Sequence, residues 1–184
     1  MGTCSENLDG AGNQQERLIT VGWIVGFVDG EGCFSIGFVR QPNRAGRVGY
    51  RTGYQVVHRF AVTQGASSVA ALEELQEFFG VGRLYRNRRN DNHREDLLQY
   101  RVERRLDLLE VVIPFFEENP LRTAKRADFE KFSTCVRLVA SGSHLTAPGL
   151  LEIVEIAQKM NHRRSRPEMI RILRDHTPNI HDSG

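Results

Sequence analysis

Acidic residues are missing from one long stretch of this chain. Between Gly32 and Leu72 there is no Asp or Glu, although the whole sequence has 23 of them against 25 Lys and Arg, a net charge of only +2. Lysine is scarce too: Lys125, Lys131 and Lys159 are its three occurrences, so nearly all of the basic residues are arginine. Cysteine is confined to Cys4, Cys33 and Cys135, too few and too scattered for a disulfide framework or a zinc site, and Cys33 and Cys135 are expected to be small buried apolar groups. The six histidines form no i, i+4 pair and no H-E-x-x-H pattern, which leaves them as structural or surface residues. No apolar run reaches the roughly 20 residues that a membrane-spanning helix needs. The longest, Leu18–Val28, is interrupted by Thr20, Gly22 and Gly26. The polar N-terminus lacks the basic start and apolar core of a secretory signal, so an intracellular protein is expected, with residues 1–16 as a flexible segment and 17–184 as a single domain.

What is present is charge of one sign gathered on particular segments. Arg40, Arg44, Arg47, Arg51 and Arg59 fall in the acid-free stretch, and a second block from Arg83 to Arg105 holds eight arginines against four acids. The guanidinium fork pairs bidentately with phosphate oxygens and with the acceptor edge of guanine, so a polyanion is the natural partner. The plainer alternative is that arginine-rich loops only keep the protein soluble.

Periodicity favours the polyanion. Cys33–Gln41 alternates as a strand with Phe34, Ile36 and Phe38 inward, and Tyr50–Gln64 is a second strand with Phe60 and Val62 inward. Ser67 is expected to cap a helix that ends at Gly80. Gly82–Asn87 and Leu97–Arg104 form a second hairpin, followed by helices over Leu106–Phe116 and Thr123–Ala140. Thr146 with Pro148 opens another helix, and the Ser165-Arg-Pro-Glu168 capping box a last one. The class is α+β, with an αββαββα core, a four-stranded antiparallel sheet and extra C-terminal helices. With helices on one face, the other sheet face is left open as a groove for nucleic acid. The residues expected there or in the adjoining loops are Ser35, Gly37, Val39, Arg40, Gln41, Arg44, Arg47, Arg51, Gln55, Val57, Arg59, Ala61, Thr63, Arg83, Tyr85, Asn87, Arg88, Arg89, Gln99 and Arg101.

The apolar helix over Leu18–Val28, expected to be buried, ends in Asp29-Gly30-Glu31-Gly32. Two carboxylates at the edge of a cationic sheet are either turn residues or a means of recruiting a divalent cation to a phosphate. Glu31 and the carbonyl of Gly30 suit Mg²⁺, which needs few protein oxygens; Mn²⁺ or Ca²⁺ can substitute structurally, and no small-molecule cofactor is implied.

The segment Trp23–Gly32, reading WIVGFVDGEG, resembles the signature of the LAGLIDADG homing endonucleases. The similarity extends to Phe34-Ser-Ile, Phe60-Ala-Val-Thr-Gln64, Gly80-Val-Gly82, Ile113-Pro-Phe-Phe116, Pro120-Leu121 with Lys125, and His144-Leu-Thr146. The resemblance implies that Glu31 binds the catalytic metal, that Gln64 orders active-site water, and that a basic residue, Lys125 or else Arg122 or Arg126, sits beside the metal. It implies a site-specific Mg²⁺-dependent endonuclease making double-strand breaks in a long pseudo-palindromic DNA target. A non-cleaving binder on the same scaffold, an intron RNA maturase or a transcription regulator, is the alternative. The motif occurs once, which points to a homodimer paired through Gly22, Trp23, Gly26 and Phe27, unless the two glycines serve tight packing inside one chain.

Overall fold

The computed structural model describes residues 8–41, 52–87, 95–160 and 170, with side chains from residue 13 onward. Arg44, Arg47, Arg51, Arg88 and Arg89, and the capping box at Ser165, lie outside the described residues.

Helix α1 spans Leu8–Glu31 and so begins ten residues before the apolar run. Its added turns include Gln14, Gln15, Glu16 and Arg17, good helix formers that need no core contact to stay helical. In one chain the helix is not buried all round, contrary to expectation. Ile24 and Val28, one turn apart, are sealed against the sheet, whereas Leu18 and Ile19 are 66% and 65% exposed. An apolar helix presenting only one stripe to its own core has a second face left over.

The strands are β1 (Gly32–Arg40), β2 (Tyr54–Gly65), β3 (Arg83–Asn87) and β4 (Leu97–Val102). They form one antiparallel sheet in the order β1-β2-β4-β3. The register aligns Phe34 with Phe60 and Phe60 with Val102, so even-numbered residues of every strand share the core face and odd-numbered residues the opposite one. Helix α2 (Val69–Phe79) returns the chain from β2 to β3. It is preceded by a short 3-10 turn, Ala66–Ser68, and the expected Ser67 cap is not made. Instead the Ser67 amide donates to the Glu95 carboxylate at 2.9 Å, so a residue from the other hairpin serves the orphan donor. Gly80 ends the helix as expected, in the left-handed region with φ 65°.

The helix expected over Leu106–Phe116 is interrupted. Helix α3 (Arg105–Asp107) passes through a π-helical turn at Leu108–Val112 into α4 (Ile113–Glu118). Pro114 lies just beyond that turn; a proline ring crowds the carbonyl four residues earlier, and the widened turn relieves it. Helix α5 (Lys125–Ala140) starts two residues later than expected, and α6 (Ala147–Gln158) is capped by Thr146, whose hydroxyl accepts the Gly149 amide. Between helices and sheet lies an aromatic core: Phe34 stacks on Phe60 at 5.1 Å and meets Phe116, Phe129 and Phe132. Beside it, the buried Tyr100 donates its hydroxyl proton to the Val81 carbonyl at 2.8 Å. This packing rigidly holds the lower edge of the sheet, where α1 ends.

Candidate active site and nucleic-acid interface

Asp29 and Glu31 are two residues apart on a helix, about 200° around its axis, so they cannot serve one task. The Asp29 carboxylate turns to the loop before α5, accepting the Arg122 amide at 2.7 Å, the Thr123 amide at 3.3 Å and the Thr123 hydroxyl at 2.7 Å. Burial works to raise its pKa, but those hydrogen bonds and the Lys125 charge outweigh it and hold the carboxyl below its ordinary value. Asp29 therefore bolts α1 to the start of α5. Sequence reading missed this role, although the helical angle between the two acids was available to it.

The bolt positions Lys125, whose ammonium donates to the carbonyls of Val28 at 2.9 Å and Gly30 at 3.0 Å. The last turn of α1 contains no basic residue of its own, so Lys125 supplies from another element the cation that the negative end of the helix favours. Burial lowers the Lys125 pKa, more than the nearby Asp29, Cys33, Glu31 and Asp128 raise it. Of the other two basic candidates, only Arg126 has a side-chain partner among the described residues. Arg126 pairs with Glu130 at 3.1 Å and lines a groove with Phe116 and Glu117, while Arg122 offers its backbone amide to Asp29.

Glu31 is exposed and makes no hydrogen bond or ion pair among the described residues. A carboxylate at the negative end of a helix is disfavoured unless a cation attends it. The Gly30 carbonyl already accepts from Lys125, but a carbonyl oxygen has two lone pairs and retains capacity for a further partner. The described residues contain no cluster of three or more His, Cys, Asp or Glu, so a dedicated protein cage is absent among them. One free carboxylate with one carbonyl is a donor set that fits Mg²⁺, an ion that keeps several waters and shares phosphate oxygens. Gln64 stands on β2 two residues beyond the Gly32–Val62 pair with which the β1–β2 ladder ends, at the end of the sheet where α1 gives way to β1. It pairs with Leu98 of β4, and its even position puts it on the helix side of the sheet rather than on the open face.

The odd-numbered face rises from this edge. Ser35, Gly37 and Val39 on β1, Gln55, Val57, Arg59 and Thr63 on β2, Gln99 and Arg101 on β4, and Arg83, Tyr85 and Asn87 on β3 all share it. Ala61 has the same parity but is only 3% exposed, so it presents no surface. Arg40 has the opposite parity and projects from the end of β1, while Gln41 donates its side-chain amide to Gln55 at 3.3 Å. Gly37 leaves room for its neighbour, since a Cβ there would lie 2.6 Å from a Val57 methyl and that side chain would have to shift. Several of the polar groups are linked across strands. Gln99 donates to the Thr63 hydroxyl at 2.6 Å and accepts from Arg101, whose guanidinium lies 4.6 Å from the centre of the Tyr85 ring. Cys33 also lies on this face and is exposed, which corrects its expected burial; its odd position on β1 excludes it from the core. Cys135 is buried as expected, and burial together with Glu152 pushes its thiol up to about 12.

The face of α1 turned away from the sheet carries Leu18, Ile19, Gly22 and Gly26. A Cβ built on either glycine meets nothing within 4 Å among the described residues, so no close contact there calls for them. Trp23 stacks on Phe27 at 5.2 Å, both half-buried at the edge of that face.

The family model for the LAGLIDADG endonuclease matches residues 24–136, which include the end of α1, the whole sheet and most of α5. Probable intron-encoded endonuclease 3 of Neurospora crassa is 33% identical over 74% of this chain. The solved homing endonuclease I-TnaI superimposes with a TM-score of 0.70 at 38% identity, covering 84% of this chain and 96% of that one. The LAGLIDADG homing endonuclease I-SmaMI, solved bound to cleaved DNA, gives 0.70 at 29% identity, covering 85% of this chain and 48% of its own. A further I-SmaMI structure holds uncleaved DNA in the presence of calcium ions. With a matching family model over more than half of its length, this chain belongs to the LAGLIDADG endonuclease family. It spans between about a quarter and a half of the length of the curated relatives it matches. No helix among the described residues is long and apolar enough to cross a membrane.

Proposed function

We propose that this chain is the DNA-binding and phosphodiester-cleaving unit of an intracellular, site-specific homing endonuclease. The observation that carries the reading is Glu31: an unpartnered carboxylate at the foot of an arginine-bearing open sheet, beside a partly desolvated lysine. I-SmaMI, captured on cleaved DNA and with calcium ions, supports the same chemistry on the same fold.

The open face lies in the major groove of duplex DNA and places a phosphate near Glu31. Mg²⁺, held by Glu31 and the Gly30 carbonyl, would polarise a phosphate oxygen and favour attack by water. Lys125, kept at the site by Val28 and Gly30, supplies positive charge where the phosphate gains negative charge. Gln64 orients the attacking water through its amide. The presence of Glu31 to hold a metal and of Gln64 to order water favours an enzyme over a non-cleaving maturase or regulator.

Cutting both strands calls for two such units. A second copy of this chain, packed across Gly22, Trp23, Gly26 and Phe27, brings two Glu31 carboxylates to the centre of a continuous saddle. The open space over both glycines and the exposure of Leu18 and Ile19 support this pairing. Selection of cleaved duplexes from a randomised DNA library in Mg²⁺ tests the reading. Enrichment of one long pseudo-palindromic site, cut in both strands, is expected; recovery of no cleaved duplex, with RNA bound in preference to DNA, overturns it.

A further inference from the structure

Glu103 is the residue of the open face that a DNA-binding surface should not contain. It follows the last residue of β4, and because Val102 pairs with Phe60, it stands beside Arg59, which in turn pairs with Ser35 of β1. Ser35, Arg59 and Glu103 thus form one row across three strands, and they line a shallow concavity with Val39, Gln55 and Val57. The Arg59 Nε lies 2.5 Å from a Glu103 carboxylate oxygen, and the two side chains remain 43% and 41% exposed.

Stability does not account for the pair. A solvent-exposed ion pair contributes little to folding, because screening and side-chain entropy offset the attraction. Nor does phosphate binding account for it: a carboxylate on this face repels phosphates and neutralises the arginine that would attract them. Base recognition does. Arg59 spends only its Nε on Glu103, so both Nη groups remain to grip the O6 and N7 of guanine. A carboxylate accepts at about four lone-pair positions and Arg59 occupies one, which leaves an acceptor for the exocyclic N4 amine of cytosine, the donor that Glu reads in the major groove. Adjacent strands lie about 4.8 Å apart and base pairs about 3.4 Å, so the two heads address the same or neighbouring base pairs.

We infer that Glu103, fixed by Arg59, is a specificity-determining residue that selects cytosine within one base-pair step of a guanine read by Arg59 in each half-site. The inference rests on the open sheet being the DNA-reading face, as proposed above. It goes further in assigning base selection to an acid that neither charge pattern nor motif points to.

The test is a binding profile of the purified protein, Glu103→Gln and Glu103→Ala over a duplex library substituted one position at a time, with EDTA present to prevent cleavage. Both changes are at an exposed position, and matching circular dichroism spectra establish that the fold is kept. The parent protein should prefer cytosine over the other bases by roughly five- to a hundred-fold at one position beside a preferred guanine. Glu103→Gln should shift that position toward adenine, which glutamine reads, and Glu103→Ala should abolish the preference, with other positions retained. A uniform rise in affinity with every base preference unchanged refutes the assignment and leaves the carboxylate a mere neutraliser. Loss of the guanine preference alone, with no cytosine preference in the parent, also refutes it and leaves Glu103 as a support for Arg59. A parent that binds all sequences equally overturns the underlying reading of the sheet, and this inference with it.

Discussion

Replacing Gly26 by leucine separates folding from assembly. Among the described residues the substitution meets open space, since a Cβ at Gly26 has nothing within 4 Å there. A mid-helix glycine is about 0.8–1.0 kcal/mol less favourable than alanine, and leucine lies close to alanine, so the single chain should gain roughly 0.5–1 kcal/mol. For a chain of 184 residues that raises Tm by about 1–4 °C. Across a two-fold axis the same side chain appears twice, on opposing helices whose close approach depends on the missing Cβ atoms. Overpacking costs typically 1–3 kcal/mol at each site, so two copies should weaken dimerisation by about 2–6 kcal/mol, on the order of thirty-fold to ten-thousand-fold in Kd. Sedimentation at several concentrations, thermal melting and double-strand cleavage together read this out. The expected outcome is a folded, slightly stabilised monomer that does not cut both strands. A dimer of unchanged affinity refutes the α1 interface, and a misfolded chain refutes the open face over Gly26.

Lys125→Met should leave the Val28 and Gly30 carbonyls to water, costing roughly 1–2 kcal/mol by urea denaturation, and should lower single-turnover cleavage by roughly 10²–10³. Cleavage at the parent rate would remove Lys125 from the chemistry. The Asp29 carboxyl is held below its ordinary 3.8, so the unfolded chain takes up that proton first. Its contribution is therefore complete above that value and is lost as the pH falls below about 4. Asp29→Asn should be less stable at neutral pH and show a shallower acid limb in stability measured against pH; parallel limbs contradict the role. EDTA should stop cleavage and Mg²⁺ or Mn²⁺ restore it, and cutting that persists in the chelator contradicts the divalent-ion reading.

The sheet was legible because Phe34, Ile36, Phe60 and Val62 alternate strictly with polar or small neighbours, and that period fixed both the strands and the face left open. Glu31 stands out as a candidate because a carboxylate ends an apolar helix just before a cationic strand. The role of Asp29, two residues earlier, was not legible: its partners Arg122 and Thr123 are more than ninety residues away, and no local pattern signals a contact that depends on where α5 begins. Glu95 capping the Ser67 amide and Glu103 beside Arg59 were hidden for the same reason, being products of strand register between distant hairpins. The π-helical turn before Pro114 departs from the uniform helix that the Leu106–Phe116 spacing suggests, since apolar periodicity tolerates one widened turn. For Cys33, residue type pointed to burial while strand parity placed it outward, and parity prevailed.

The role proposed for Glu31 is cleavage rather than folding or binding. Glu31→Gln keeps the size and shape of a side chain that has no partner among the described residues, so fold and DNA affinity should be preserved, with affinity rising slightly as charge near the phosphates falls. The decisive measurement is cleavage and equilibrium binding of that variant, side by side with the parent, on one selected duplex in Mg²⁺. Binding equal to or tighter than the parent's with cleavage abolished is expected; cleavage at the parent rate would remove Glu31 from the chemistry.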